Sequence, residues 1–187
     1  MRDKDSETLI LVDDEGNKIG HENRVVCHTG KGKRHLAFVV LLTTRNQFLI
    51  QKRKHKIFDG LWDVSCTSHP IALELEKGLA TIYEDETTEE AAQKCMKYEL
   101  GVTTHLKKIG AFNYFAQDGD HCENEHCVVL IGNIKDDPEP NPEEIYEIDY
   151  ISLVDIVYRI ESNPEEFTPW LKHTVDLLKQ NVSHLGS

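Results

Sequence analysis

One well-marked helix between two groups of strand-like segments limits this chain to a layered fold. Residues Thr87–Leu100 place apolar side chains at helical spacing; Thr87 or Thr88 can cap the start, and Gly101 can end the helix. Two glutamates follow the cap, where the helix dipole favours acidic side chains. Short apolar runs on both sides of such a helix are typical of α/β or α+β domains, in which helices cover a sheet.

The other elements are predicted from apolar runs that end at turn residues. Before the helix, we expect a first hairpin that begins at Leu9–Val12, a second hairpin made by His35–Thr43 and Gln47–Gln51, and a strand at Leu61–Ser65. After the helix, we expect strands at Ala111–Ala116 and Glu123–Ile134, a proline-containing loop at Asp136–Glu144, and helices at Leu153–Ile160 and Thr168–Leu178. The segment Ile71–Glu86 fits a lid or a surface excursion.

Length and charge narrow the class of protein. The 187 residues suit one domain, 1–187, with a short N-terminal and a helical C-terminal extension. The formal net charge of −12 disfavours binding to nucleic acid, whose phosphates an acidic surface repels. No apolar run approaches the roughly 20 residues that cross a bilayer, so we expect a cytoplasmic protein without membrane contact. The five cysteines are then expected to be free thiols.

Three histidines and two glutamates form a candidate metal site. Strand alternation puts Glu123 and Glu125 on one face, where two carboxylates are costly unless a cation neutralises them. Together with His28, His35 and His69 they make a plausible ligand set for Zn²⁺ or Mn²⁺. The alternative is an exposed acidic strand without a metal.

A second possible ligand set lies in the same strand. It combines two cysteines and two histidines, namely Cys122, Cys127, His121 and His126. Alternation divides these four side chains between the two faces of the strand, so we rank this set below the first.

Eight short blocks, in order and with compatible spacing, resemble the type I isopentenyl diphosphate isomerases of the Nudix superfamily. The resemblance covers roughly residues 9–180 and implies a mixed β-sheet between helices. The blocks are His28-Thr29, His35–Phe38, Gly60–Trp62, Ser68–Pro70, Lys97–Val102, Phe112–Tyr114, Glu123–Glu125 and Phe167–Trp170.

The resemblance implies a role for each matching position. The three histidines with Glu123 and Glu125 would bind one divalent ion, Zn²⁺ or Mn²⁺, and Glu99 would hold Mg²⁺ that bridges to the substrate diphosphate. Glu125 and Tyr114 would form the proton-transfer centre, and Trp170 would present its ring to a carbocation. The candidates for contacts with the diphosphate are Arg24, Lys31, Arg53 and Lys56.

The chain departs from the family at the position of its catalytic cysteine. That position lies two residues before His69 and holds Thr67, whereas Cys66 stands one place earlier. A threonine hydroxyl is a far weaker acid than a thiol, whose unperturbed pKa is about 8.5. If this segment is a strand, Cys66 points away from the side of Thr67.

Three functions remain open at this point, and we rank the isomerase first. A Nudix hydrolase that cleaves a diphosphate is second, because Cys95 and Tyr98 occupy positions where hydrolases carry glutamates and only Glu99 remains. A diphosphate-binding protein that has lost turnover is third, and Thr67 is the feature that favours it.

Overall fold

The structure is a computed structural model that describes residues 4–77 and 80–185. Its helices are α1 (Arg24–Cys27), α2 (Thr88–Leu100), α3 (Leu153–Ser162) and α4 (Pro169–Leu185), with short 3-10 turns at Lys4–Ser6 and Pro164–Glu166. Its strands are β1 (Thr8–Val12), β2 (Lys18–Asn23), β3 (His35–Thr44), β4 (Gln47–Arg53), β5 (Trp62–Asp63), β6 (Cys66–Ser68), β7 (Ile71–Lys77), β8 (Ala80–Asp85), β9 (Leu106–Asp118), β10 (His121–Asn133) and β11 (Ile145–Ile151).

Strand β3 lies at the centre of a mixed sheet. It pairs in parallel with β10, and antiparallel with β1, β4 and β6. The parallel register sets Glu125 opposite His35, while β9 and β10 form a long antiparallel pair that sets Tyr114 opposite Glu125. These two registers bring a histidine, a glutamate and a tyrosine to one end of the sheet.

Alternation along β3 builds one core on each face of the sheet. Ala37, Val39 and Leu41 pack with side chains of α3 and α4, whereas Phe38, Val40 and Leu42 pack with side chains of α2. Seven of the ten residues of this strand are buried, on both of its faces, as expected for a strand covered on both sides. The prediction of a mixed sheet between helices is therefore confirmed.

The ends of α2 follow the sequence signals. The Thr87 hydroxyl accepts a hydrogen bond from the backbone N–H of Glu90, and the Glu90 carboxylate accepts one from the backbone N–H of Thr87, which makes a capping box. Gly101 ends the helix with a φ of 70°, in the left-handed region that favours glycine. Fixing both ends places Glu99 on the buried side of the last turn.

Several segments differ from the sequence prediction. The segment Ile71–Glu86 contributes the antiparallel pair β7–β8, which joins the sheet through β1. Of the strand expected at Leu61–Ser65 only β5 is formed, and β6 follows just after it. Strand β11 lies between the predicted loop and the predicted helix that became α3, where no element was expected. The predictions for β3, β4, β10, α3 and α4 are right to within a few residues, except that α4 continues to Leu185.

Within residues 4–77 and 80–185, no helix is long and apolar enough to cross a membrane. All five cysteines are free thiols, as expected.

A candidate metal centre beside a charged cleft

Five buried side chains meet at one end of the central sheet. They come from the end of α1, the start of β3, the segment after β6, and β10, and one ligand atom of each lies within 4.8 Å of the others. Glu123 and Glu125 point to the same side of β10, as strand alternation predicts. The cluster consists of His28, His35, His69, Glu123 and Glu125, and these are the five residues that the sequence singled out.

The histidines present unpartnered nitrogens to one another. The Nδ1 atoms of His28 and His35 lie 2.8 Å from the backbone oxygens of Arg24 and Lys33, which directs the Nε2 atoms inward. Such backbone contacts are the usual way in which a protein orients metal-binding imidazoles. The inner Nε2 atoms of both histidines have no hydrogen-bond partner, and neither do His69 Nδ1 and Glu123 Oε2.

Unpartnered buried polar atoms cost free energy, so a cluster with four of them calls for a ligand. His28 Nε2 and Glu123 Oε2 lie 3.1 Å apart, and His35 Nε2 lies 3.6 Å from Glu125 Oε1, both outside hydrogen-bond alignment. A divalent cation would satisfy His28 Nε2, His35 Nε2 and Glu123 Oε2 at once. The donor set therefore fits Zn²⁺ or Mn²⁺.

The two carboxylates of the cluster have opposite pKa shifts. Burial raises the pKa of Glu123, and the negative charge of Glu125 raises it further. Burial acts on Glu125 too, but the adjacent imidazoles of His35 and His69 outweigh it and hold the Glu125 pKa well below its usual value. The centre thus keeps Glu125 ionised, while Glu123 needs a further positive charge to ionise easily.

Tyr114 lies directly against the cluster. Its hydroxyl donates a 2.5 Å hydrogen bond to Glu125 Oε2, while His69 Nε2 lies 2.7 Å from the other oxygen of the same carboxylate. Burial and the charge of Glu125 raise the pKa of Tyr114 well above its usual value, so the phenol stays protonated. The structure therefore brings together the two residues expected at the proton-transfer centre.

Trp170 is buried next to Tyr114, with 6.0 Å between the ring centroids. Its indole N–H donates a short hydrogen bond to Asp63, a buried carboxylate that the sequence prediction did not include. Asp63 also pairs with Arg53, whose guanidinium carbon lies 5.0 Å from the centre of the Trp170 ring. No sequence pattern indicates that Asp63 is buried beside Trp170, because this contact forms only when β5 packs against the start of α4.

A cleft of about 260 Å³ opens on the other side of His69. Its lining carries three cations, Lys4, Arg24 and Lys94, together with the carboxylates of Glu99, Glu7 and Glu86. The sequence analysis pointed only to Arg24 among these cations. Lys94 is exposed on α2 and lies on the face of the helix that also carries Cys95 and Glu99 into the lining of the cleft.

Glu99 is held inside this cleft by two side chains. Gln51 Nε2 donates a 3.0 Å hydrogen bond to its Oε2, and the Cys95 thiol lies 3.3 Å from its Oε1. Burial raises the pKa of Glu99 to about 7. A cation at the mouth of the cleft would stabilise the ionised form of this carboxylate. Glu99 therefore fits the expected Mg²⁺ position.

Thr67 and Cys66 lie on opposite faces of β6, as predicted. Thr67 pairs with Val39, and its hydroxyl donates a 2.9 Å hydrogen bond to the backbone oxygen of Phe38. Cys66 is fully buried in the core under α2, next to Cys95, and burial raises the pKa of its thiol. Cys66 therefore does not reach the side of Tyr114 and Trp170.

The remaining candidates lie apart from the cleft. Lys31 and Lys56 are exposed, and neither lines the cleft; Arg53 is buried against Asp63. Among the described residues, the cluster of possible ligands does not include Cys122, Cys127, His121 or His126, so the second possible ligand set is not formed.

Comparisons with known proteins agree with this geometry. The model of the NUDIX domain family matches residues 33–171. An isopentenyl-diphosphate Delta-isomerase from Halorhodospira halophila is 31% identical over 90% of this chain and 93% of its own length. Isopentenyl-diphosphate Delta-isomerase 1 from Mesocricetus auratus is 34% identical over 97% of this chain and 88% of its own length.

Solved structures show the same fold at low sequence identity. DR0079 from Deinococcus radiodurans superposes with a TM-score of 0.67 at 20% identity, over 91% of this chain and 98% of its own. The MutT protein from Methanosarcina mazei gives a TM-score of 0.59 at 16% identity, over 79% of this chain and 95% of its own.

Proposed function

This chain belongs to the NUDIX domain family and, within it, to the isopentenyl-diphosphate Delta-isomerases; we propose that it moves the double bond of isopentenyl diphosphate to give dimethylallyl diphosphate. The observation that carries the proposal is the hydrogen bond from Tyr114 to Glu125 within the buried histidine and glutamate cluster. This arrangement provides a protonated phenol and an ionised carboxylate at one point of a water-poor site.

The reaction needs a proton at one end of an allylic unit and a base at the other. The ionised Glu125, to which the Tyr114 hydroxyl donates a hydrogen bond, can accept the proton at the carbon that faces the cluster, and it can deliver a proton to that carbon only after it has taken one up. A tertiary carbocation lies between the two proton transfers, and it must be kept from water and stabilised by negative or aromatic groups. The buried ring of Trp170, 6.0 Å from that of Tyr114, suits this task.

His28, His35, His69, Glu123 and Glu125 would hold Zn²⁺ or Mn²⁺. An ion at this position supplies the positive charge that lets both carboxylates ionise and that sets the acidity of Glu125. The unpartnered inner atoms of the cluster support this assignment. Glu99 would hold Mg²⁺, which neutralises part of the charge on a diphosphate.

The cleft suits the diphosphate end of the substrate. Arg24, Lys4 and Lys94 line it, and the carboxylates of Glu7, Glu86 and Glu99 balance their charge in the metal-free protein. Mg²⁺ at Glu99 would leave the cleft positive. Lys94 is paired with Glu86, so an incoming phosphate oxygen would replace a carboxylate that the lysine already contacts. Lys31, Arg53 and Lys56 stay as predictions for this role, without support from the lining of the cleft.

We place the protein in the cytoplasm, as a single domain over residues 1–187 that binds a small diphosphate and neither nucleic acid nor membrane. The free thiols and the acidic surface support this part of the proposal.

A second candidate function is a diphosphate-binding protein without turnover. One observation favours it: the Thr67 hydroxyl takes the family's cysteine position and is bonded to a backbone oxygen, while Cys66 is buried on the other face. The hydrolase alternative is weaker, because Cys95 and Tyr98 replace the glutamates that would activate water beside Glu99.

The test is a product analysis with isopentenyl diphosphate, Mg²⁺, and either Zn²⁺ or Mn²⁺, followed by phosphorus and proton NMR. Dimethylallyl diphosphate with both phosphates retained is the expected product, and Glu125→Gln should abolish its formation. Release of inorganic phosphate or of a monophosphate would make the protein a hydrolase. An unchanged substrate that still protects the protein against thermal unfolding would leave the binding function.

A further inference from the structure

Asp63 is fully buried, and both of its carboxylate oxygens are occupied. Oδ2 accepts a 2.7 Å hydrogen bond from Arg53, while Oδ1 accepts from the backbone N–H of Val64 at 2.7 Å and from the Thr168 hydroxyl at 3.0 Å. The indole N–H of Trp170 donates a further short bond to Oδ1. One carboxylate thus joins β4, β5 and the start of α4.

These bonds fix the plane of the Trp170 ring. The indole N–H is directed at Asp63, and the edge of Phe58 contacts the ring, with 5.1 Å between centroids at an interplanar angle of 87°. The backbone N–H of Thr168 donates to the oxygen of Trp62, which holds the segment that carries Trp170 against β5. The indole therefore cannot turn without breaking a buried hydrogen bond.

The positive charge of Arg53 lies close to the Trp170 ring, and Asp63 neutralises it. The Arg53 guanidinium lies 5.0 Å from the centre of the Trp170 ring and is almost completely buried. An unpaired guanidinium at that place would occupy the cation–π interaction with the Trp170 ring. It would also repel a second cation that approaches the same ring. The carboxylate of Asp63 neutralises most of the charge of Arg53. The Trp170 ring therefore remains available to another positive group.

We propose that Asp63 is a positioning residue for the isomerase reaction: it fixes the indole of Trp170 and neutralises Arg53, so that the ring attracts the carbocation of the reaction. This inference rests on the proposed function. It also assigns Arg53 to the support of Trp170 and away from the diphosphate. The recognised ligand class is a positively charged, branched five-carbon unit that carries a diphosphate.

The experiment compares two ligands that differ only in charge. One is a tertiary-amine diphosphate that carries its ammonium where the carbocation forms, and the other is isopentyl diphosphate, whose saturated hydrocarbon chain carries no charge. Their dissociation constants are measured on the wild-type protein, Asp63→Asn, Arg53→Gln and the double variant Asp63→Asn with Arg53→Gln. Thr168→Val is the matched control, because it removes one hydrogen bond to Asp63 and no charge.

In Asp63→Asn, we expect the amine to bind at least tenfold more weakly relative to the saturated ligand, and kcat to fall at least tenfold with KM within threefold. The double variant should restore the wild-type preference for the amine. Thr168→Val should weaken both ligands equally or not at all. Equal weakening of both ligands in Asp63→Asn would show a merely structural role and overturn the inference.

Arg53→Gln keeps the inference testable if Asp63→Asn does not fold. Removing the guanidinium should leave the preference for the amine unchanged or stronger, with the KM for isopentenyl diphosphate within threefold of the wild type. A large rise in KM would instead assign Arg53 to the diphosphate. If the wild-type protein forms no dimethylallyl diphosphate, the proposed function fails, whereas the dependence of the amine preference on Asp63 still tests the inference by itself.

Discussion

The Tyr114 hydroxyl donates a 2.5 Å hydrogen bond to Oε2 of Glu125, while the other oxygen of that carboxylate lies 2.7 Å from His69 Nε2. One carboxylate is thus shared between the candidate metal centre and a protonated phenol. Nothing else among the described residues joins the histidine cluster to the aromatic side chains on the α4 face of the sheet in this way.

Removing this phenol should slow the chemical step without disturbing the metal. We expect Tyr114→Phe to lower kcat about a hundredfold, the lower end of the range for a lost proton-transfer group, because the ring remains in place. Metal content, measured by atomic emission, should stay at the wild-type ratio. Tyr146→Phe removes an exposed phenol and is the matched control. An unchanged kcat in Tyr114→Phe would remove Tyr114 from the mechanism.

Metal binding should stabilise the fold, since the unpartnered atoms of the cluster are buried. At a Zn²⁺ or Mn²⁺ concentration a hundred times the dissociation constant, the gain in unfolding free energy is about 2.7 kcal/mol. Calorimetry with and without a chelator should therefore show a higher Tm with the ion. Glu123→Gln should lose most of this shift, whereas His105→Gln, at an exposed position, should keep it. An equal shift in both variants would place the ion elsewhere.

Much of the candidate metal centre was predictable because its residue types carry their own signals. Alternate strand positions fix Glu123 and Glu125 on one face, and the histidines stand in blocks that resemble a known family. The same reasoning gave no sign of the partner of Arg53, which lies against the buried carboxylate of Asp63. The charge of a side chain is visible in a sequence, but the buried partner that neutralises it is not.

The missed parts of the fold and site have a common physical reason. The pair β7–β8 is stabilised by pairing with β1, and Lys4 and Lys94 reach the cleft from segments that are far apart in the chain. Such placements depend on tertiary contacts and leave no local pattern. By contrast, the cap at Thr87, the end of α2 at Gly101 and the apolar run of β3 are local features, and the helix and strand predicted from them are confirmed.

The cations of the cleft should govern affinity for the diphosphate. We expect Arg24→Ala and Lys94→Ala each to raise the KM for isopentenyl diphosphate about three- to thirtyfold with little change in kcat, because a lost charge-assisted hydrogen bond costs about 1–2 kcal/mol at a partly exposed site. The dissociation constant of inorganic pyrophosphate, measured by calorimetry, should rise in parallel. Lys107→Ala removes an exposed lysine of β9 as the control. Unchanged pyrophosphate affinity in both variants would contradict the assignment of the cleft.

Glu99 should make the metal-free protein less stable as the pH rises. Burial raises its pKa to about 7, against 4.5 in the unfolded chain, so between these pH values the folded protein holds a proton that the unfolded chain has lost. The contribution of protonated Glu99 to the free energy of unfolding is complete below pH 4.5. It is lost as the pH rises through 7, an effect of about 3 kcal/mol. Urea unfolding should therefore show Glu99→Gln gaining stability over the wild type by up to this amount between pH 5 and pH 8.

The same carboxyl should couple Mg²⁺ binding to pH. Below pH 7 the ion must displace a proton from Glu99, so its affinity should fall up to tenfold for each further pH unit. Calorimetric titration in buffers of different ionisation enthalpy measures the proton released. Release of no proton at pH 6 would show that Mg²⁺ binds without Glu99.

Restoring a thiol at position 67 should raise isomerase turnover by about a hundredfold or more. Thr67 shares the face of Val39, which packs in the core that contains Tyr114 and Trp170, whereas Cys66 lies on the opposite face. A thiol there can exchange a proton that the Thr67 hydroxyl, bonded to the Phe38 oxygen, holds too tightly.

Steady-state kcat for dimethylallyl diphosphate formation is compared among the wild type, Thr67→Cys, and Thr67→Ser as the control that keeps a hydroxyl. Cys66→Ala in the Thr67→Cys background should keep the gain, because Cys66 takes no part. A Thr67→Cys variant that binds metal and pyrophosphate normally but turns over no faster than Thr67→Ser would show that position 67 does not hold the second proton-transfer group.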